Sequence, residues 1–175
     1  MGQIKKYPSR KLIMGFIFKK EDAFTRAKKI MQRRFGKVDF ESRELAFNHT
    51  DYYQNELGEN PQRKFISFQK LILPQNLVEI KILTNKIENK LSLKGARQIN
   101  IDPGYLDLAK LVLASTKDFY HRIYLDRGIF AEITLFYKNK TFQPWEWTYP
   151  DYKTQEYIAI FNRIREIYAC QTKDI

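Results

Sequence analysis

Residues 12–18, Leu-Ile-Met-Gly-Phe-Ile-Phe, form an apolar run broken only by a glycine, and charge closes it at both ends: Arg10 and Lys11 before it, Lys19, Lys20, Glu21 and Asp22 after it. Seven residues are too few to span a bilayer, which takes about 20 in a helix. The charges that follow, with no small-residue cleavage pattern, also argue against a secretory signal. Gly2 does not complete a myristoylation motif, because Lys6 stands where Ser or Thr is wanted. The run is expected to be a first, buried strand over 11–19, and no membrane partner is expected.

A core is affordable for such a strand. The chain has 175 residues, 43% of them hydrophobic and 15% aromatic, enough for a single domain over 1–175 without covalent staples. One cysteine, Cys170, excludes an internal disulfide and any multi-cysteine metal cluster, and suits a reducing, cytoplasmic setting.

Periodicity organises the rest. Ala23, Phe24, Ala27, Ile30, Met31 and Phe35 fall at helical spacing, predicting a helix over 22–35 that Gly36 ends. Residues 38–47 read as extended with a polar break near Ser42 and Arg43, and 48–64 as a long irregular stretch with His49, Asp51, Tyr52, Tyr53 and Glu56. A strand over 65–73 ends at Pro74, and a second helix covers 77–91. Residues 99–102 are extended and turn at Pro103-Gly104; a turn of helix then leads to a strand from Leu111. A final helix starts near Thr154, with Asp151 or Thr154 as cap. The expectation is α+β: a mixed or antiparallel sheet with about three helices, in an order compatible with a ferredoxin-like core plus extra strands.

The best-defined local structure is a hairpin over 119–137 turning at Asp126-Arg127-Gly128. A three-residue loop sorts Phe119, His121, Ile123, Leu125, Ile129, Ala131, Ile133 and Leu135 onto one face. Tyr120, Arg122, Tyr124, Phe130, Glu132, Thr134 and Phe136 take the other. In this register His121 is a hydrogen-bonded core histidine rather than a catalyst, and Arg122 faces Glu132 across the ladder. That pair is either a cross-strand ion pair or an oriented Arg and carboxylate that could hold an anionic substrate.

Several chemistries are absent. The chain has no G-x-x-x-x-G-K-[ST] and no G-x-G-x-x-G, so neither a P-loop nor a dinucleotide fingerprint. Two distant histidines without H-E-x-x-H leave no zinc motif, no metal ligand set is assigned, and no G-x-S-x-G elbow occurs. Polar and aromatic clusters remain at Asn100–Tyr105, Ser115–Asp118 and Trp147–Tyr152.

The segments Asp51-Tyr52-Tyr53, Asn100-Ile101-Asp102-Pro103-Gly104-Tyr105-Leu106, Lys110 to Asp118, His121-Arg122-Ile123-Tyr124-Leu125, Ala131-Glu132-Ile133-Thr134-Leu135 and Trp147 to Tyr152 resemble a bacterial and archaeal family, domain of unknown function 4416 (DUF4416). The resemblance runs over almost the whole chain. It implies a stand-alone cytoplasmic protein and supplies no reaction, cofactor or catalytic residue. A GTP-binding label attached to some members has no P-loop here to support it.

Two functions fit these residues. Residues 1–40 hold twelve basic and three acidic side chains, so +9 of the net +11 lies in that stretch. The first reading is a binding protein for a phosphate-bearing partner, RNA or a nucleotide. Arg26, Lys29 and Arg33 on the first helix would meet phosphates, and Tyr120, Tyr124, Thr134, Trp147 and Tyr149 would supply an aromatic and polar sheet face. The second is a small-molecule enzyme, with Glu132, Asp118 or Asp102 as general acid or base and Lys117 and Arg122 holding an anion. Cofactor and oligomeric state have no signature in the sequence.

Overall fold

The computed structural model describes residues 2–3, 7–47 and 60–173. The tyrosine-bearing segment with His49, Asp51, Tyr52, Tyr53 and Glu56 lies outside them. Chain order is β1 (Lys11–Phe18), α1 (Glu21–Phe35), β2 (Val38–Glu41), β3 (Leu45–Ala46), β4 (Gln62–Phe68) and α2 (Leu77–Lys90). Then follow β5 (Ile99–Leu106), β6 (Lys110–Ser115), β7 (Ile123–Asp126), β8 (Ile129–Lys138), β9 (Thr141–Pro144) and α3 (Gln155–Thr172). Short 3₁₀ turns at Pro74–Asn76 and Pro150–Lys153 lead into α2 and α3.

The strands form one sheet in the order β2-β4-β1-β5-β6-β8-β7, with β3 on β4 and β9 on β8. All its ladders between described residues are antiparallel. The first four full strands, with α1 and α2 as crossovers, reproduce the split βαβ order of a ferredoxin-like plait. The remaining strands extend that sheet beyond β5.

All eight residues of β1 are buried, because helices cover both faces of the strand. Leu12, Met14, Phe16 and Phe18 point toward α1 and α2, where Phe24 stacks on Phe18 at 5.1 Å and meets Phe16 edge-on at 5.2 Å. Ile13 points the other way, into a core with Phe65, Leu111, Leu135 and the Tyr157, Phe161, Ile164 and Tyr168 stripe of α3. Helix α1 ends where expected: Gly36 takes φ 88°, a left-handed conformation that suits glycine, and its N–H donates to the Gln32 carbonyl at 2.9 Å. Thr154 caps α3, its hydroxyl accepting from the Tyr157 N–H at 3.3 Å.

Four expectations change. Strand β4 starts at Gln62, so Arg63 and Lys64 are strand residues, and it stops at Phe68. Strand β5 runs straight through Pro103-Gly104 to Leu106. Pro103 stands just past the last β5–β6 pair, Gly104↔Leu113, the kind of unpaired margin where proline is tolerated. No helical turn precedes β6; instead Asp107 Oδ1 accepts from the N–H groups of Ala109 and Lys110, both at 2.8 Å, making a tight side-chain-closed turn.

The hairpin is the fourth. Its ladder has the expected register, Ile123↔Ala131 and Tyr124↔Phe130, but the loop contains two residues, Arg127 (φ 47°) and Gly128 (φ 75°), with a bulge at Leu125 absorbing the difference. A second bulge opposite Leu111–Val112 turns Leu135 to the α3 side, away from Ile129. Residues 119–122 are a turn, not strand, and Ile123 is exposed rather than core.

No helix of the described residues is long and apolar enough to cross a membrane. Gly104 has the tightest surroundings of the described glycines: a Cβ there would stand 2.4 Å from the Val112 carbonyl and 2.7 Å from Leu113 Cδ2. Because the nearer atom is backbone, Gly104→Ala must push β5 from β6 and should cost about 3 kcal/mol or more. An unchanged urea midpoint would contradict this packing.

Candidate functional site

Strand β8 is flanked by β7 only to Ala131 and by β9 only from Leu135, which leaves residues 132–134 with no strand on that side. The segment after β9 fills the gap. Trp147 Nε1 donates to the Ile133 carbonyl at 3.3 Å, and Thr148 Oγ1 donates to the Thr134 carbonyl at 2.6 Å. From the other end, the 119–122 turn brings two side chains onto one carboxylate oxygen: His121 Nε2 lies 3.1 Å and Arg122 Nε 2.9 Å from Glu132 Oε2.

The expected Arg122–Glu132 contact is therefore present. His121 joins it instead of facing the opposite side, because a turn frees consecutive side chains from strand alternation. Its ring stacks on Trp147 at 5.4 Å, and Trp147 stacks on Trp145 at 5.0 Å. Arg122 is fully engaged. Beyond Glu132, its Nη1 donates to the Lys117 carbonyl at 2.9 Å and Ser115 Oγ at 3.3 Å, and its Nη2 to the Tyr149 hydroxyl at 3.2 Å. Burial opposes the Arg122 charge, but Tyr149 and Glu132 outweigh it and its pKa is raised. The arrangement clamps three segments to β8 and leaves Arg122 no nitrogen without a partner.

A second ion cluster lies on the same sheet face. In the ladders flanking β1, Gly15 stands between Phe65 of β4 and Asp102 of β5. The Arg63 side chain, 1% exposed, folds across Gly15; a Cβ at residue 15 would lie 2.8 Å from its Nη2. Arg63 Nη1 donates to Asp102 Oδ2 at 3.2 Å and Nη2 donates to the Tyr152 hydroxyl. The rings of Phe65, Tyr152 and Phe47 lie 4.8, 5.3 and 5.8 Å from Arg63 Cζ. Burial works against the charge here too, yet Tyr152 and Asp102 outweigh it, and the Arg63 pKa rises. Burial also pushes Tyr152 well above its usual value and Tyr157 up to about 12. Arg63 Nε, Tyr157 Oη and Asn100 Nδ2 are buried polar atoms without a hydrogen-bond partner. The one sequence signal for this cluster was Gly15 itself, since glycine inside a strand often marks a close approach.

Where β5 has lost β6, α2 takes over its exposed backbone. Lys81 Nζ donates to the Ile101 carbonyl at 3.1 Å and Glu88 Oε1 accepts from the Ile101 N–H at 2.8 Å. Lys81 Nζ also stands 4.0 Å from Asp102 Oδ1, so Asp102 lies between two cations.

The remaining candidates are dispersed. Asp102 and Glu132 point to the same sheet face, two strands and two residues apart, roughly 12 Å between α-carbons on ladder spacing, with Leu113 between them. Asp118 is exposed and outside both clusters, and Lys117 enters through its backbone carbonyl. Tyr120 is exposed with its edge toward His121, and Tyr124 packs against Phe130 at 5.4 Å. Thr134 is buried, 3.4 Å from Glu132 Oε1. On α1, Arg26 pairs with Asp22 at 3.7 Å while Lys29 and Arg33 are exposed. Among the described residues, no group of three or more His, Cys, Asp or Glu could hold a metal ion.

An antiparallel α+β sheet, helix-covered on both faces and carrying two buried ion clusters on the face toward its last helix, is the class of protein these features define. Residues 8–168 match the family described as domain of unknown function (DUF4416), nearly the whole chain, and the chain belongs to that family. No curated protein and no solved structure matches it.

Two stability predictions follow from these clusters. Asp102→Ala leaves Arg63 buried with its closest carboxylate gone, whereas Arg63→Met leaves Asp102 27% exposed and still near Lys81. Asp102→Ala should therefore cost more, about 3 kcal/mol against about 1–2, in urea denaturation; the reverse order would show that another group holds Arg63. Burial raises the Glu88 carboxyl pKa, against the pull of Lys81 and the Ile101 N–H. A carboxyl raised on folding contributes stability below its unfolded value, about 4.3, that is lost as pH rises through the folded pKa. Glu88→Gln keeps the acceptor for Ile101 N–H and should gain on the wild type as pH rises from about 4 to 7. Parallel pH–stability curves would refute it.

Proposed function

We propose that the protein binds a phosphate-bearing polymer, single-stranded RNA, in the groove between α1 and α2. The helices run antiparallel, Phe35 lying near Ile80 and Ile30 near Ile87, and a depression of about 690 Å³ beside the 70–73 segment adjoins one of about 480 Å³ between the helices. The observation that carries the reading is the set of cations on its rims. Arg33 and Arg34 come from α1, Lys86 and Lys90 from α2, and Lys70 from the loop after β4. None of the five has an ion-pair partner among the described residues. The acid on the rim, Glu79, is engaged by Arg127.

Elsewhere among the described residues Arg10, Lys28, Lys110 and Arg163 each stand within 4 Å of a carboxylate, and cations without one, such as Lys19, Lys94, Lys138 and Lys153, come from separate segments, whereas five line this one groove. Lys29 precedes Arg33 by one turn and extends the line of charge along α1. Cations without counter-carboxylates release counterions when phosphates replace them, which favours a polyanion. The apolar floor of Ile30, Phe35, Ile80, Leu83 and Ile87 is recessed between the helices, so it suits inserted bases better than a flat bilayer. The enzymatic alternative draws less support, because the donors of Arg122 and the oxygens of Glu132 are already committed to protein partners.

Fluorescence anisotropy with a short oligouridine tests the reading. Affinity should fall steeply from about 50 to 200 mM salt, and Arg33→Gln with Lys86→Gln should flatten the log–log salt slope by about 1.4. No binding at the lowest salt, or equal capture of a polyglutamate peptide or of phosphatidylserine vesicles, would overturn it.

A further inference from the structure

The two ends of the sheet are finished differently. At one end β2 carries Asp39 and Glu41, held by Lys11 and Lys28, and a bulge interrupts its pairing with β4. Charge and irregularity of this kind blunt an edge against further strands. At the other end β7 has β8 on one side, no strand of the described residues on the other, and all four residues exposed. Its sequence, Ile-Tyr-Leu-Asp, has neither lysine nor proline.

Apolar surface gathers around this edge. Ile123, Tyr124 and Leu125 are exposed on β7, Phe119 and Tyr120 on the turn before it, Ile133 on β8 and Tyr149 beside Arg122. Ile123 is 68% and Tyr120 78% exposed. Other exposed large hydrophobic side chains, Tyr7, Leu93 and Leu108, come from separate segments. With an aromatic side chain offering about 150–250 Å², the exposed fractions amount to on the order of 700 Å². Shared between the two sheet faces that meet at this edge, that area approaches the roughly 800 Å² that one partner contributes to a standard interface.

We propose that β7 is a dimer edge, at which two copies of this chain pair β7 with β7 antiparallel about a two-fold axis. A two-fold contact needs a patch complementary to itself, and this one is. Antiparallel pairing about Tyr124 sets Ile123 opposite Leu125 of the partner. Arg127, which follows the strand, is already held by Glu79 and Asp126, so the match rests on the apolar side chains. A second copy also brings an apolar area of equal size. The bulge at Leu125 keeps the paired stretch short, so the side chains around the strand supply most of the contact.

Sedimentation velocity of the full chain from about 1 to 100 µM tests the proposal. The mass should rise toward two chains and stop there. Ile123→Lys and Tyr124→Lys, at exposed positions, should keep the wild-type circular dichroism and sediment as one chain throughout. Hydrogen exchange of the wild type should show protection growing with concentration at residues 119–126. A monomer at the highest concentration, an open series of larger species, a dimer indifferent to both lysines, or protection confined to another surface would each overturn it.

Discussion

The ammonium of Lys11 is fully buried at the start of β1, the strand around which everything else is arranged. It donates to Asp39 Oδ2 at 2.6 Å, to the Phe68 carbonyl at 3.2 Å and to the Gln171 side chain. Those partners belong to β2, β4 and α3, so one cation joins the sheet to the helix over its outer face. Burial lowers the Lys11 pKa, and the Asp39 contact pulls it back. A one-residue slip of β1 would carry this charge to the face of α1 and α2, away from Asp39 and Gln171, so the ion pair and the strand register depend on each other.

Lys11 shares its side of β1 with Gly15, across which Arg63 folds, and the two faces of the sheet therefore differ in kind. Toward α1 and α2 lies an aliphatic and phenylalanine core. Toward α3 that core is interrupted by three buried charge centres, at Lys11, Arg63 and Glu132. Each buried ion is costly unless paired and hydrogen-bonded. The 145–152 segment meets much of that requirement, supplying Trp147, Thr148, Tyr149 and Tyr152.

Periodicity made β1, α1, α2, α3 and the β7–β8 register legible, because in each the apolar face repeats over many residues. It failed where the partner that decides a conformation is distant. Gln62-Arg63-Lys64 looks like loop until Gly15, Asp102 and Tyr152 are known to receive Arg63. Pro103-Gly104 looks like a turn until β1 is seen to pair through it. Register set Arg122 opposite Glu132, and the two do meet, although the ladder stops at Ile123 and Arg122 reaches Glu132 from the turn; His121 could not be read, since it hangs on where the strand gives way to that turn. The exposure of Ile123 was hidden for another reason: alternation says which residues share a face, not whether anything covers that face.

Charge shows the same limit from the other direction. The excess of basic residues in the first forty positions is real, but folding spends Arg10, Lys11, Arg26 and Lys28 on carboxylates. What remains at Arg33 and Arg34 is joined by Lys70, Lys86 and Lys90 from regions of near-neutral sequence. The concentrated positive surface thus comes from the antiparallel helix pair, which joins part of the N-terminal charge to cations distant in sequence. Pairing two β7 edges about an axis perpendicular to the sheet would keep both helix layers on one side of a continuous sheet. Both basic grooves would then face the same way. A single RNA strand long enough to reach from one to the other would gain by effective concentration, and a short one held in a single groove would not.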